Sequence, residues 1–188
     1  MKNNEPRRVL CEGRFARLVA QNGWEWVERT NTSGAVVIVA VTPDRQLVLV
    51  EQYRIPLARR VVELPAGLAG DAADSRHEEL AEAAHRELLE ETGFEAADLH
   101  FLAEGPSSAG LTDEVYAMFL ARDVRRVGPG GGDAAEEIQV HLVPLDQADA
   151  WLGQRRTSGV MVDPKVYAGL YFARGTRRLA GGGEQAGG

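Results

Sequence analysis

The sequence predicts a mixed α/β domain in which helices flank a mixed β-sheet. Two β-branched runs, at 35–41 and 46–53, are typical of strands. The segment 75–93 instead repeats its apolar residues at the spacing of an amphipathic helix. Strands and helices do not alternate strictly along the chain, so a mixed sheet is favoured over a purely parallel one.

The composition limits the class of protein and its partners. The chain has 188 residues, enough for one domain or for one domain with a small appendage, and its net charge of -7 argues against a nucleic-acid partner. One cysteine, Cys11, excludes an intrachain disulfide. No signal peptide and no apolar run of about 18 residues is recognisable. We therefore expect a cytoplasmic protein without a membrane partner.

The N-terminal elements read as strands. Segments 14–20 and 23–30 lead into 35–41, and the turn at 42–45 joins this run to 46–53, which predicts a hairpin. Strand alternation puts alternate side chains of 24–29 on opposite faces. These faces are Trp24, Trp26 and Glu28 on one side, and Glu25, Val27 and Arg29 on the other.

A further strand at 60–65 is expected to stop at Pro65 and Gly67, before a loop of small residues. The long helix follows, with Ser75 and Glu78 forming a capping-box pattern and Gly93 suited to its C-terminal end.

The second half of the chain predicts strands at 114–124 and 138–145, separated by the flexible glycine-rich run 128–137. Helices are expected at about 146–153 and 165–174, and the glycine-rich end of the chain is expected to be disordered. The predicted organisation is an N-terminal β segment (1–34), a main domain (35–178) and a disordered tail (179–188).

The long helix concentrates carboxylates on two adjoining stripes. In one stripe Arg86 lies among acidic residues four apart, so it can pair with Glu90. The other stripe, Glu87 and Glu91, has no basic residue in register. Spacing alone leaves two interpretations open, a solvated acidic face or a site for a hard cation such as Mg²⁺ or Mn²⁺.

Gly67, Glu78 and the segment RELLEETGF at 86–94 resemble the Nudix box, G-x5-E-x7-REUxEExGU, where U is a bulky apolar residue. Every defined position from Glu78 onward matches this pattern. Gly67, however, lies 11 residues before Glu78 where the pattern has six, so the loop carries roughly five extra residues. Loop length is thermodynamically cheap, and we expect the metal geometry to survive the insertion.

The resemblance implies a Nudix α/β/α sandwich and a metal-assisted attack of water on the phosphorus of a nucleoside diphosphate linked to another group. The resemblance assigns Glu87 and Glu91 as ligands of the metal, which is Mg²⁺ with Mn²⁺ as a substitute. These two residues are catalytic because they hold the metal. Glu90 either assists or pairs with Arg86, and the main-chain carbonyl of Ala66 completes the set.

Further segments, over roughly 8–175, resemble the ADP-ribose (ADP-sugar) pyrophosphatase branch. They are GWEWVERT, VEQYRIP, VELPAGL, GLTDE, EEIQVHLVPL and VDPKVYAGLYFA. The resemblance implies a homodimer with exchanged N-terminal segments, in which Trp24 stacks on the base while Glu25 and Arg29 make polar contacts. From the residues alone, 24–29 could equally be an edge strand with aromatic packing.

The remaining candidates lie in loops. By resemblance Arg54 reaches the pyrophosphate, and the loop with Gly110 and Glu114 passes near the terminal ribose, although Glu114 could only cap the next strand and Gly110 could only serve the turn. Glu63 is expected to have a supporting role. The general base is expected to be Glu136, with Glu137 as the other candidate, on a loop that closes over substrate; both could also be solvated loop acids.

The sequence therefore predicts an Mg²⁺-dependent ADP-ribose diphosphatase that releases AMP and ribose 5-phosphate. One alternative is a Nudix hydrolase of another nucleoside diphosphate sugar, such as GDP-mannose or a UDP-sugar. A second, from another class, is a non-catalytic module that senses ADP-ribose. No role is assigned to the four histidines or to Cys11.

Overall fold

The structure is a computed structural model that describes residues 5–70, 79–132 and 137–175. The strands are β1 (Arg8–Glu12), β2 (Ala16–Gln21), β3 (Trp24–Arg29), β4 (Gly34–Val41), β5 (Gln46–Arg54), β6 (Arg59–Glu63), β7 (Ala66–Ala69), β8 (Phe94–Glu95), β9 (Leu99–Pro106), β10 (Val115–Arg122), β11 (Arg125–Arg126), β12 (Gln139–Pro144) and β13 (Met161–Val162). The helices are α1 (Leu80–Thr92), α2 (Ala148–Thr157) and α3 (Pro164–Gly175). Within these ranges, no helix is both long and apolar enough to cross a bilayer.

The main sheet is mixed, as predicted. Its strand order is β13-β6-β5-β4-β10-β9, with β12 paired to β5 and β7 paired to β4. The pairs β4–β10 and β6–β13 are parallel, and the other pairs are antiparallel. The predicted hairpin is present at its turn, where Val41 pairs with Leu47 and the amide of Thr42 donates to the carbonyl of Gln46 at 2.9 Å.

Alternation along β4 divides the core into two layers. Val37 and Val39 belong to the cluster that packs under α2 and α3, whereas Val36 and Ile38 belong to the cluster under α1. All four side chains are at most 3% exposed. An apolar strand buried on both faces is expected for the centre of a sheet covered by helices on both sides, so the α/β/α arrangement is confirmed.

The N-terminal strands form a separate antiparallel sheet in the order β1-β2-β3. The side chains of Trp26 and Glu28 share a face, as alternation predicts, because the indole Nε1 donates to Glu28 Oε1 at 3.1 Å. Glu28 also accepts hydrogen bonds from Arg7 and Arg17. This sheet is attached to the main domain where the amide of Val27 donates to the carbonyl of Leu111 at 2.8 Å.

Several sequence-based boundaries were wrong near the long helix. A stop at Pro65 and Gly67 followed by a loop was expected, but Ala66–Ala69 form β7, whose four residues pair with β4. The helix begins at Leu80, because Glu79 is extended and has no side-chain cap bond. Ser75 and Glu78 lie outside the described residues. Gly93 ends the helix as predicted, with φ of 72° and its amide bonded to the carbonyl of Leu89 at 2.8 Å.

The glycine-rich run after β11 is docked on the end of α1 instead of being flexible along its whole length. The amides of Gly131 and Gly132 donate to the carbonyls of Glu91 and Glu90 at 2.8 and 3.1 Å. These carbonyls lack partners inside the helix. A Cβ at Gly130 would lie 2.3 Å from the carbonyl carbon of Thr92, so only glycine permits this approach. The tail 179–188 lies outside the described residues.

Candidate active site

One pocket of about 420 Å³ gathers most of the residues that the Nudix-box resemblance selects. Its walls come from α1, the strands β4 and β7, the loop before β10, and the beginning of α3. It is lined by Ala66, Glu87, Glu90 and Glu91 together with Arg29, Arg54 and Glu114. The fold therefore brings residues from widely separated parts of the chain to one polar cavity.

Gly67 explains how a helix carboxylate can lie directly against a strand. A Cβ at Gly67 would be 1.9 Å from the carboxyl carbon of Glu87 and about as close to both of its oxygens. No real Cβ contact is that short, so the absence of a side chain on β7 is what lets Glu87 occupy this place. This contact is present although the sequence between Gly67 and Glu78 is about five residues longer than the family pattern.

Arg86 connects the helix carboxylates to β7. Its Nη1 donates to Glu87 Oε1 at 2.8 Å and to Glu90 Oε2 at 3.0 Å, while Nη2 donates to the carbonyl of Leu68 at 2.8 Å. The predicted pairing with Glu90 is confirmed. Glu87 has no basic residue in register, as the sequence indicates, but it is paired all the same, because the guanidinium of the preceding residue reaches it.

Glu91 is held by the main chain of β7. Its Oε2 accepts a hydrogen bond from the amide of Ala66 at 3.0 Å, which brings the Ala66 peptide against the carboxylate. Glu91 and Glu87 are only 5% and 8% exposed. Burying two carboxylates is costly unless cations or hydrogen-bond donors compensate their charge.

These residues fit a hard divalent cation by the chemistry of their donors, which are all oxygens on an acidic wall. Among residues 5–70, 79–132 and 137–175, however, no three acidic, histidine or cysteine side chains converge as they would around a bound ion. The Arg86 guanidinium lies between Glu87 and Glu90 and supplies positive charge there.

Arg54 faces the pocket from the end of β5. Its Nε donates to Glu63 Oε2 at 2.8 Å. Burial raises the pKa of Glu63 above its usual range, against the lowering effect of Arg54. The predicted supporting role of Glu63 is consistent with this contact, because the carboxylate orients the guanidinium along the pocket wall.

Arg29 and Glu114 form an ion pair between the N-terminal sheet and the loop before β10. Burial raises the pKa of Glu114, but hydrogen bonds from Arg29 and Ser107 outweigh it, so the pKa is lowered overall. Glu114 is therefore held as a carboxylate on the pocket wall, where it contacts Arg29 and Ser107.

Three of the predicted substrate residues do not line this pocket. Trp24, 65% exposed, lies with Gly110 along a separate cleft between β3 and the 109–113 loop. Glu25 lies beyond it on the exposed surface. Gly110 is in the turn, but its φ is not positive and a Cβ there would meet nothing within 4 Å. The turn does not require glycine at this position.

The predicted general base, Glu136, lies outside the described residues. Gly132, just before that segment, lines the pocket. The other candidate, Glu137, has a side chain that is 90% exposed and lies 3.8 Å from Arg60.

Sequence reasoning missed Lys165, Tyr116 and Ser107, which also line the pocket. Lys165 and Tyr116 belong to segments that carried the family resemblance or a strand pattern, but nothing in either pattern singled them out. The only usable signal was the rarity of lysine, since Lys2 and Lys165 are the two lysines among 21 basic residues.

Comparisons with known proteins identify the family and the fold. A family model described as "NUDIX domain" matches residues 31–163. The "Methanol dehydrogenase activator" of Bacillus methanolicus is 34% identical over 124 residues, which are 65% of this chain and 64% of that protein. The "ADP-ribose pyrophosphatase" of Bacillus subtilis (strain 168) is 40% identical over 159 residues, 79% of this chain and 83% of that protein. The chain thus spans less than two thirds of the first relative and most of the second.

A solved structure described as an "ADP compounds hydrolase" shares the fold, with a TM-score of 0.65, 24% identity and coverage of 90% of both chains. The matched domain covers well over half of the chain, and its defining glycine and carboxylates meet in one pocket. This chain belongs to the Nudix family of hydrolases.

Proposed function

We propose that this Nudix hydrolase cleaves the pyrophosphate bond of ADP-ribose, or of a related ADP-sugar, to give AMP and a sugar phosphate. The observation that carries the proposal is the composition of the pocket: the buried carboxylates Glu87 and Glu91 share it with the guanidiniums of Arg29 and Arg54. A diphosphate needs both kinds of group, because cations bind its oxygens while carboxylates hold a metal ion against it. The name of the Bacillus subtilis relative supports the choice of substrate.

Glu87 and Glu91 would hold the metal, Mg²⁺ by preference and Mn²⁺ as a substitute, with Glu90 and the Ala66 carbonyl as further oxygen ligands. When bound, a divalent cation neutralises charge on the diphosphate and lowers the pKa of a water molecule. Arg86 fixes the helix on β7 and keeps the carboxylates oriented. Arg54 binds phosphate oxygens through its planar set of donors, and Glu136 on the segment after Gly132 takes a proton from the attacking water.

The N-terminal segment 1–34 supplies base recognition in this proposal, and 35–178 supplies the chemistry. The N-terminal strands and the connection before β2 expose large apolar side chains, namely Val9, Leu10, Phe15 and Trp24. Exposed large apolar side chains are a feature of protein–protein contacts. We therefore propose a homodimer with exchanged N-terminal segments, in which Trp24 stacks on the adenine and Glu25 makes a polar contact with it.

The test is incubation of the protein with ADP-ribose and Mg²⁺, with products followed by ³¹P NMR. We expect AMP and ribose 5-phosphate, and loss of both in Glu91→Gln. GDP-mannose and a UDP-sugar, ranked by kcat/KM in the same assay, test whether the base is adenine. A sensing module would bind ADP-ribose in titration calorimetry and release no AMP, which would refute the enzymatic proposal.

A further inference from the structure

Lys165 is the second residue of α3, and the N-terminus of this helix lies at the pocket. Asp163 fixes this end: its Oδ1 accepts the amide of Lys165 at 2.7 Å, and its own amide donates to the carbonyl of Val62 in β6 at 2.9 Å. The Lys165 ammonium lies 5.6 Å from the centre of the Tyr116 ring and is 31% exposed as a side chain. The ammonium is therefore held at a defined place on the pocket wall.

The charge of Lys165 acts on two pocket carboxylates that belong to different parts of the fold. Its charge lowers the pKa of both Glu63 and Glu114, although for each the larger influences are burial and a hydrogen-bonded arginine. Lys165 thus shares the pocket wall with the Arg54–Glu63 pair and the Arg29–Glu114 pair and acts on the carboxylate of each.

The basic residues that line the pocket differ in what they bind. Arg29, Arg54 and Arg86 each donate to a glutamate that also lines the pocket. Lys165 instead bonds Asp163, which is not among the lining residues, at 2.5 Å. An ammonium has three donors, and within the described part of the chain this is the one side-chain hydrogen bond shown for it.

The choice of lysine at this position is informative. The chain uses arginine for 19 of its 21 basic residues, and its two lysines are Lys2 and Lys165. A lysine ammonium is a compact point charge with rotatable donors, whereas a guanidinium is a rigid planar fork. Beside Tyr116 and two carboxylates, the compact group can turn its donors into the cavity.

We propose that Lys165 is a substrate-binding residue whose ammonium binds a phosphate oxygen of the diphosphate. The proposal rests on the proposed function, since it names a further residue for that reaction. The positive end of the α3 dipole adds to the attraction for an anion at this place. The competing explanation is structural, with Lys165 only neutralising Glu63 and Glu114.

Selective labelling of lysine with ¹³C and ¹⁵N tests the contact without modifying the protein. Two side-chain signals are expected because the chain has two lysines, and the signal missing in Lys165→Arg is that of Lys165. Inorganic pyrophosphate with Mg²⁺ should shift the Lys165 signal in a saturable way and leave the Lys2 signal unchanged. Mg²⁺ alone and ribose alone should not produce this shift.

A purely structural lysine would give no saturable shift with pyrophosphate, and a lysine that binds a sugar hydroxyl would respond to ribose instead. Either result would overturn the proposal. Both readouts are independent of turnover, so they stand whether or not ADP-ribose is hydrolysed, and failure of the proposed function is seen separately as absence of AMP.

Kinetics give a second readout on the folded enzyme. Lys165→Met should lower kcat/KM for ADP-ribose by about 10- to 100-fold, the usual range for a lost charge-assisted hydrogen bond. Lys165→Arg should recover part of this loss, and Lys2→Arg should behave as wild type. Wild-type kcat/KM in Lys165→Met would contradict the proposal.

Discussion

Two buried acidic clusters in this protein have opposite balances of charge. On β5, the single carboxylate of Glu51, 3% exposed, is surrounded by Arg60 at 3.0 Å, His141 at 3.1 Å and Arg155 at 3.5 Å. At α1, one guanidinium, Arg86, is hydrogen-bonded to two carboxylates, and a third carboxylate, Glu91, lies in the same pocket wall.

We interpret the difference in charge balance as the difference between a structural network and the proposed binding site. The Glu51 cluster has cationic groups in excess of its acid, and it stabilises the sheet where β5, β6 and β12 meet α2. Among the residues that the structure describes, the α1 cluster has more carboxylates than guanidiniums and opens onto a cavity. Excess carboxylate beside a cavity is tolerated because a divalent cation and its substrate can complete the charge balance.

The largest effect should come from breaking the α1 cluster. Glu91→Gln keeps the shape of the side chain and removes its charge, so we expect kcat/KM for ADP-ribose to fall by about 10³-fold or more. The melting temperature should stay near that of wild type or rise, because like charges no longer repel. Steady-state kinetics and thermal unfolding measure the two quantities. Glu82→Gln, on an exposed face of the same helix, is the matched control and should change neither.

Gly67→Ala should displace the Glu87 carboxylate of α1 without removing its charge. The added Cβ would overlap the Glu87 carboxyl group, so this side chain must leave its place against β7. We expect kcat/KM to fall by about 10²-fold, the scale of a misplacement of about 1 Å in an active site. Gly153→Ala, in α2, introduces a Cβ with nothing within 4 Å and should be silent. Equal activity of the two alanine variants would refute the role assigned to Gly67.

At the Glu51 cluster on β5 we expect a loss of stability without a loss of activity. Glu51→Gln leaves Arg60, His141 and Arg155 without their carboxylate, which should lower the free energy of unfolding by about 2–3 kcal/mol. The two arginines are about one third exposed, which keeps the loss at the lower end for a buried charge network. The melting temperature should fall by roughly 4–12 °C, while kcat/KM below this temperature should be retained. Glu104→Gln, exposed on β9, controls for the loss of charge alone.

The smallest expected effect is on the pH dependence of the free energy of unfolding. Burial, and then the charge of Arg155, lower the pKa of His141, while Glu51 opposes them. As the pH falls below about 6.5, the ordinary pKa of histidine, His141 therefore becomes protonated in the unfolded chain before it does so in the folded protein. The free energy of unfolding should decline from there through the lower pKa of the folded state. His141→Gln should flatten this part of the denaturation profile, and His100→Gln, at an exposed position, should not. An unchanged profile in His141→Gln would refute the assignment.

Features that depend on residues a few positions apart could be predicted from the sequence. The β-branched run at 35–41 predicts the strand β4, and the match of 86–94 to the Nudix box, on a helix that spacing alone left ambiguous, selects Glu87 and Glu91. The same local reasoning could not see that Arg86 reaches the carbonyl of Leu68, since this contact depends on how α1 docks against β7.

Long-range placement accounts for the rest. Lys165 joins the pocket only because α3 begins beside β6, and no spacing in the sequence expresses that proximity. The glycine-rich run after β11 has the composition of a flexible linker, yet Gly131 and Gly132 cap the carbonyls of α1. Composition indicates how flexible a segment is in isolation, whereas tertiary hydrogen bonds determine its conformation in the folded protein.

The most direct test of the contrast between the clusters is the metal response of ADP-ribose hydrolysis in three proteins treated with EDTA. Wild type and Glu51→Gln, assayed below its melting temperature, should both lose activity and regain it when Mg²⁺ is added back. Glu91→Gln should stay inactive at every Mg²⁺ concentration. Full activity of the EDTA-treated wild type, or the same Mg²⁺ response in Glu91→Gln as in wild type, would contradict the account.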